Sequence, residues 1–204
     1  MDHQARKYFV DALYADMTSS SVSVKARSDN EYTNNMSFVY GDTNLDLLFE
    51  VLEFLQPKPG DVFYDLGCGG GQVVFYAALA YPFAKCCGIE YLKDLYDFAL
   101  SRQKRFNFNL ANITTSIEHK LPEIVFVNND FTQVDLSDAN IIFTYSTCFD
   151  DELMKKLAET LEKQLKPGSK VVTITKPLPS SQFNLLKRGY VADVPFTVHC
   201  YEKI

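Results

Sequence analysis

A glycine-rich turn, set between an apolar strand pattern and an apolar helix pattern, constrains this chain more than any other feature. The β-prone run Val62–Leu66 contains Asp65, and the turn that follows has glycines at positions 67, 69 and 71. Residues 73–80 then form an apolar, helix-like run. This order is typical of a nucleotide-sized ligand held at the carboxyl end of a strand, against the start of a helix. The glycines let the backbone approach such a ligand where a side chain would collide.

Asp65 indicates which ligand the turn suits. A dinucleotide presents an anionic pyrophosphate, which the Asp65 carboxylate would repel. S-adenosylmethionine carries an ammonium and a sulfonium, which the same carboxylate would attract. The sequence therefore predicts S-adenosylmethionine as the cofactor, with the backbone of Gly67 and Gly69 close to it. NAD and a tight turn without a ligand are the alternatives.

A second acidic residue ends the next strand pattern. Residues 84–90 indicate a strand that closes on Glu90. This position lies roughly 20 residues past the glycines, where an acid binds ribose in doubly wound folds. Its two carboxylate oxygens can accept both ribose hydroxyls. The alternative is a solvated acid that caps the following helix; with the Asp65 turn beside it, we interpret Glu90 as the ribose ligand.

Strand and helix patterns alternate along most of the chain. This alternation predicts an α/β fold with a mostly parallel twisted sheet, helices on both faces and an antiparallel C-terminal strand. Together with the predicted S-adenosylmethionine turn, this corresponds to the Rossmann-like methyltransferase type. Residues 1–36 are polar and poorly periodic, and the small residues of the 18–23 stretch suit a mobile segment. We therefore divide the chain into an N-terminal helical appendage or lid, 1–36, and an S-adenosylmethionine-dependent methyltransferase domain, 37–204.

The composition fits an intracellular globular protein. The 204 residues are 47% hydrophobic, and their net charge of −6 does not favour strong generic nucleic-acid binding, which needs a positive field. The five cysteines form no paired motif and the three histidines are scattered, so we expect reduced thiols, no metal site and a cytoplasmic or nuclear location. No apolar run approaches the ~20 residues of a membrane span, so we expect no membrane partner.

Three further clusters are expected to converge on the crevice, because the carboxyl ends of parallel strands meet at one edge of a sheet. Asp130 and Phe131 follow the third strand, where an acid can accept from an adenine amine and a ring can form an apolar wall. A simple turn is the alternative there. Tyr145 follows the fourth strand. The third cluster consists of Tyr40, Asp42 and Thr43, which precede the first strongly apolar helix. The alternative for this cluster is that it only caps that helix.

Together these motifs resemble the disruptor-of-telomeric-silencing family of protein-lysine methyltransferases, the non-SET type. The likeness covers roughly residues 36–204. Its most specific parts are Tyr40-Gly-Asp-Thr43, similar to a family loop ending in Tyr-Gly-acid-Thr, and the run from Asp65 to Val74, similar to the family's Asp-Leu-Gly-x-Gly-x-Gly-Gln-Val-Val loop. Three shorter family motifs resemble Gly88-Ile-Glu90, Asp130-Phe131 and Thr175-Lys-Pro177. The resemblance implies that the cofactor is also bound by Tyr40, Asp42, Thr43 and Gln72.

The resemblance implies methyl transfer to a lysine side chain of a protein, either a histone or another substrate. The chain departs from the family where the fourth strand ends: relatives carry Asn-Asn-Phe, and this chain has Tyr145-Ser-Thr. The catalytic role carried over from the family therefore falls on Tyr145 and Ser146. For Tyr145, packing under the next helix is the alternative. Two other functions stay open: methylation of a small molecule or RNA, and cofactor binding without turnover in an interaction module.

Overall fold

A computed structural model describes residues 1–29, 44–112, 117, 119–190 and 195–204. Within these ranges the chain forms six α-helices and seven β-strands. The helices are α1 (His3–Leu13), α2 (Ser19–Asp29), α3 (Leu45–Leu55), α4 (Gln72–Ala80), α5 (Lys93–Asn112) and α6 (Asp151–Gln164). The strands are β1 (Val62–Leu66), β2 (Lys85–Glu90), β3 (Glu123–Asn128), β4 (Ile141–Thr144), β5 (Lys170–Ile174), β6 (Phe183–Tyr190) and β7 (Thr197–Lys203).

The seven strands form one sheet in the order β3-β2-β1-β4-β5-β7-β6. The first five are parallel to their neighbours, whereas β7 runs antiparallel to both β5 and β6. The predicted fold class, including the antiparallel C-terminal strand, is confirmed. Strand order reverses between β1 and β4, and a parallel sheet opens a ligand crevice at the carboxyl ends of its strands at such a point.

Apolar side chains cover both faces of the sheet. Alternate residues of β1 point to opposite sides, so Phe63 joins one buried cluster with α1, α3, α4 and α5, while Tyr64 joins a second cluster with α6. The apolar run 45–55 predicts a helix, and α3 has these bounds. The side chain of Asn44 accepts from the first backbone N–H groups, and Gln56 ends the helix in a left-handed conformation with φ 48°. The two clusters hold the strand ends, and therefore the site, in place.

The N-terminal segment differs from the sequence-based expectation in two respects. The small-residue stretch at 18–23 was predicted to be mobile, but most of it belongs to α2, in which Ser19 and Ser23 are buried. Hydrophobic periodicity does not reveal this helix, because its contact face is built from small residues. The spacing of Tyr8, Phe9, Leu13 and Tyr14 predicts one shared helical face, but in α1 Tyr8 is 79% exposed and Val10 is buried instead.

The cysteine side chains are all free thiols. Cys86, Cys87 and Cys200 are buried in strands, and burial raises the pKa of each thiol. None of the helices in the described ranges combines the length and apolar character needed to cross a membrane. The same ranges contain no group of three or more His, Cys, Asp or Glu side chains arranged to hold a metal ion.

Candidate functional site

The predicted glycine turn connects β1 to α4 and is bonded to the neighbouring strand. Gly67, Gly69 and Gly71 have φ values of 78°, 53° and 88°, which only glycine adopts at little cost. The N–H groups of Gly67 and Cys68 both donate to the carbonyl of Ile89, at 2.9 and 3.0 Å. The N–H of Gly71 donates to the Cys68 carbonyl at 2.9 Å and closes the turn. The turn therefore has a defined shape beside the end of β2.

Asp65 is a buried carboxylate on β1, directly before this turn. It is 3% exposed, and no hydrogen bond to its side chain is found among the described residues. Burial, and secondarily the charge of Glu90, raises the pKa of Asp65 well above its ordinary value of 3.8. A buried charge without a partner is costly, so this position favours a cationic ligand.

Glu90 ends β2 and is 7% exposed. One carboxylate oxygen accepts from the N–H of Gly69 and the other from the N–H of Leu92, each at 2.8 Å. Burial raises the pKa of Glu90, and these hydrogen bonds oppose the rise. A carboxylate can accept about four hydrogen bonds, so Glu90 can organise the backbone around it and still accept from a ribose hydroxyl. Asn128 fixes the same strand end by donating to the carbonyls of Glu90 and Tyr91.

Asp130 and Phe131 form a turn that leaves groups available to a ligand. One oxygen of Asp130 accepts from both the N–H and the hydroxyl of Thr132 at 2.8 Å, so the predicted turn exists. The second oxygen has no hydrogen-bond partner in the described ranges and is available to a ligand. The Phe131 ring stacks on Phe149 with centroids 5.7 Å apart, and Phe149 lies 3.8 Å from where a Cβ on Gly67 would be. An aromatic pair thus reaches the glycine turn.

Tyr145 and Ser146 follow β4 and have different surroundings. The half-buried ring of Tyr145 packs edge-on against Phe196, with centroids 5.6 Å apart. Burial raises the pKa of Tyr145 to about 12, so the phenol is neutral at physiological pH. Ser146 is fully buried, and its hydroxyl donates to the Ile174 carbonyl at 2.7 Å. This geometry favours an anchoring role for Ser146; the catalytic roles of both residues stay predictions.

Two threonines contribute to this edge of the sheet without a clear sequence signal. Thr144 donates from its hydroxyl to the Leu66 carbonyl at 2.9 Å and ties β4 to β1 at the switch point. Thr175, just after β5, has φ 73°, an unusual conformation for a β-branched residue. Its hydroxyl lies 2.8 Å from that of Thr147. The only sequence signal for Thr175 was its position in the motif Thr175-Lys-Pro177.

The structure describes one of the four remaining predicted cofactor ligands. Gln72 is the first residue of α4 and is half-buried directly after the glycine turn. Tyr40, Asp42 and Thr43 lie outside the described residues. The described candidates come together at the carboxyl ends of β1 to β4, which is where the sequence placed them.

The raised pKa of Asp65 predicts a pH-dependent affinity for a cationic ligand. A positive ligand binds the ionised carboxylate, so binding should weaken as pH falls through the raised pKa, at values where an ordinary aspartate with pKa 3.8 is still ionised. Calorimetric titration of S-adenosylmethionine between neutral pH and pH 5 measures this effect. Asp65→Asn should bind weakly and lose this component of the pH dependence. A pH profile identical to the wild type in that variant would contradict the assignment.

The sheet order and the glycine turn define a Rossmann-like S-adenosylmethionine-dependent methyltransferase fold. One solved structure similar to it is an RNA methyltransferase from Salinibacter ruber in complex with S-adenosyl-L-homocysteine. The match has a TM-score of 0.64 and 23% identity, and covers 80% of this chain and 94% of that one. Residues 18–194 match the family described as "Histone methylation protein DOT1". The chain belongs to the DOT1 family, which confirms the resemblance found in its motifs.

Two relatives illustrate the range of the family. "Histone-lysine N-methyltransferase, H3 lysine-79 specific" from Dictyostelium discoideum is 31% identical over 174 residues, which are 84% of this chain and 9% of that protein. "Protein-lysine N-methyltransferase" from Saccharolobus islandicus is 31% identical over 142 residues, which are 68% of this chain and 79% of that protein. The chain therefore spans a small part of the first relative and most of the second.

Proposed function

We propose that this chain transfers a methyl group from S-adenosylmethionine to a lysine side chain of a protein, with histone H3 as the first candidate substrate. The match to the DOT1 family over residues 18–194 carries the proposal. Relatives named as lysine methyltransferases at 31% identity support it. A histone substrate corresponds to action in the nucleus, one of the two locations that the sequence predicted.

The described residues fit this cofactor. Asp65, buried and without a hydrogen-bond partner in the described ranges, would hold the cationic amino-acid end, and Glu90 would accept from the ribose. Asp130 and Phe131 would contact the adenine, and the left-handed backbone of the glycine turn leaves space beside it. Calorimetry should therefore detect binding of S-adenosylmethionine and its demethylated product, and no binding of NAD.

The residues around the strand ends suit alignment more than proton transfer. The cofactor would supply an electrophilic methyl group on its sulfonium. The neutral lysine amine would bond to that methyl carbon as the carbon–sulfur bond breaks, with S-adenosylhomocysteine as the leaving group and the surplus proton of the amine released to solvent. Alignment alone contributes up to ~7–11 kcal/mol in well-oriented reactions. A free lysine has a pKa of about 10.4 and is protonated at neutral pH, but a desolvated aromatic channel lowers that value. The rings of Phe131, Phe149 and Tyr145 would provide such walls.

Tyr145 is expected to guide the lysine through its ring and its neutral phenol. A phenol can exchange one hydrogen bond with the amine, and its ring can face an incoming ammonium. Tyr145→Phe should keep part of the turnover and Tyr145→Ala should lose most of it, with cofactor affinity nearly unchanged in both. Turnover is measured per folded molecule, with the exposed Tyr190→Ala as the control. Normal turnover in folded Tyr145→Ala would show that Tyr145 only packs under the neighbouring structure.

One experiment separates the proposed reaction from its alternatives. The protein is incubated with methyl-labelled cofactor and, in parallel, with core histones, with cell lysate and with total RNA. Mass spectrometry then identifies the labelled group. We expect label on lysine side chains of protein. Label confined to RNA or to small molecules would support another methyltransferase class, and cofactor binding without transfer to any of these would support a non-catalytic module.

A further inference from the structure

The end of α1 contacts the glycine turn through a buried hydrogen bond. The hydroxyl of Tyr14 donates to the carbonyl of Gly70 at 2.6 Å, and Tyr14 is only 6% exposed. The Gly70 carbonyl belongs to the same peptide group as the N–H of Gly71, which closes the turn by donating to Cys68. One hydroxyl from the N-terminal segment therefore holds the peptide group on which the shape of the turn depends.

Side chains of α5 fix Tyr14 in this position. Arg102 is buried, and its guanidinium donates to the carbonyl of Leu13 at 2.7 Å. The same guanidinium lies 4.3 Å from the ring centroid of Phe98 and 5.9 Å from that of Tyr14. The Tyr14 and Phe98 rings meet edge to face at 5.9 Å. The Tyr14 hydroxyl therefore has little freedom to leave the turn.

Helix α2 contacts the site at two points. A Cβ on Gly70 would lie 2.2 Å from the hydroxyl of Ser19, so helix and turn are in direct contact. Farther along α2, Ala26 packs in a buried cluster with Leu92 and Leu95. The N–H of Leu92 is one of the backbone donors that orient the Glu90 carboxylate. Helix α2 thus touches both segments that surround Glu90.

We propose that α1 and α2 act as a positioning element for the cofactor site and that Tyr14 is its positioning residue. This inference rests on the proposed function, in which Glu90 and the glycine turn hold S-adenosylmethionine. The Tyr14 hydroxyl keeps the Gly70–Gly71 peptide in the orientation that closes the turn on Cys68. Displacement of α1 from α5 would therefore weaken cofactor binding without any change in the residues that contact the cofactor.

Tyr14→Phe tests the proposal, because it removes only the hydroxyl. Tyr201→Phe is a matched control: Tyr201 is also 6% exposed, and its hydroxyl accepts from the N–H of Leu178 at 3.0 Å, away from the turn. We expect a similar loss of stability in the two variants of the full chain. Only Tyr14→Phe should weaken binding of S-adenosylhomocysteine, by about 3- to 10-fold, the effect of one hydrogen bond. Its KM for the cofactor should rise while kcat at saturation is retained.

The result can be separated from a failure of the proposed function. If the wild type binds the cofactor and Tyr14→Phe binds it equally well, the positioning role is wrong. If the wild type binds no cofactor, the proposed function fails. In either case, amide exchange at Gly71 in the ligand-free protein tests the contact itself. Exchange should be faster in Tyr14→Phe than in Tyr201→Phe, and equal rates would overturn the proposal.

Discussion

Gly71→Ala is expected to lower the free energy of unfolding by roughly 2–5 kcal/mol. Two effects add: a left-handed backbone costs a residue with a Cβ about 1–2 kcal/mol, and overpacking a core costs about 1–3 kcal/mol. Gly71 has φ 88°, and a Cβ there would lie 2.6 and 2.8 Å from ring atoms of the buried Phe126. Urea unfolding of the ligand-free protein measures the loss.

Gly60→Ala is the matched control for this variant. Gly60 also has φ 88°, but a Cβ there would meet no atom within 4 Å. The free energy of unfolding of Gly60→Ala should therefore fall only by the backbone contribution of about 1–2 kcal/mol. The difference between the variants isolates the contact with Phe126, and equal losses would show that the ring moves aside without cost.

Glu90→Ala is expected to weaken S-adenosylmethionine binding by about 10- to 100-fold. A hydrogen bond to a charged group contributes ~1.5–3 kcal/mol, and each 1.4 kcal/mol is a factor of ten. The substitution also leaves the N–H groups of Gly69 and Leu92 without their acceptors, so stability should fall as well. Calorimetry on the folded variant measures the affinity.

Asp138→Ala is a control for the removal of an acidic side chain elsewhere. Asp138 pairs with Lys85 at the amino ends of the strands. Its substitution should therefore leave the affinity for S-adenosylmethionine unchanged. The cofactor affinity of Glu90→Gln should lie between those of the wild type and Glu90→Ala, because an amide keeps only one acceptor oxygen. Unchanged affinity in both Glu90→Ala and Asp65→Ala would remove these two acids from the cofactor site.

Much of the site was predictable because its geometry is local in sequence. A strand, a glycine turn and a helix follow one another within residues 62–80, and parallel strands bring their carboxyl ends to one edge. A ligand role was weighed against a helix cap at Glu90 and against a turn at Asp130. In the structure both carboxylates accept from nearby backbone N–H groups and still have capacity for a ligand. Carboxylates can do both, since each oxygen accepts more than one bond.

Contacts between distant segments were not predictable. Tyr14 and Gly70 are 56 residues apart, and no local pattern relates them. Helix α2 was missed because small residues such as Ser19 pack closely against a glycine, which hydrophobic periodicity does not detect. Likewise, the left-handed backbone of Thr175 depends on its surroundings and contradicts the usual preference of a β-branched residue.

The position of β7 between β5 and β6 has a consequence for synthesis on the ribosome. A nascent chain that has not yet reached Thr197 can assemble the five parallel strands, but β5 then has an open edge and β6 has no partner. Exposed strand edges pair readily with other chains, and incomplete sheets are prone to aggregate. The growing polypeptide is therefore expected to be most dependent on chaperones just before residues 197–203 emerge, when nearly all of the cofactor site has already been translated.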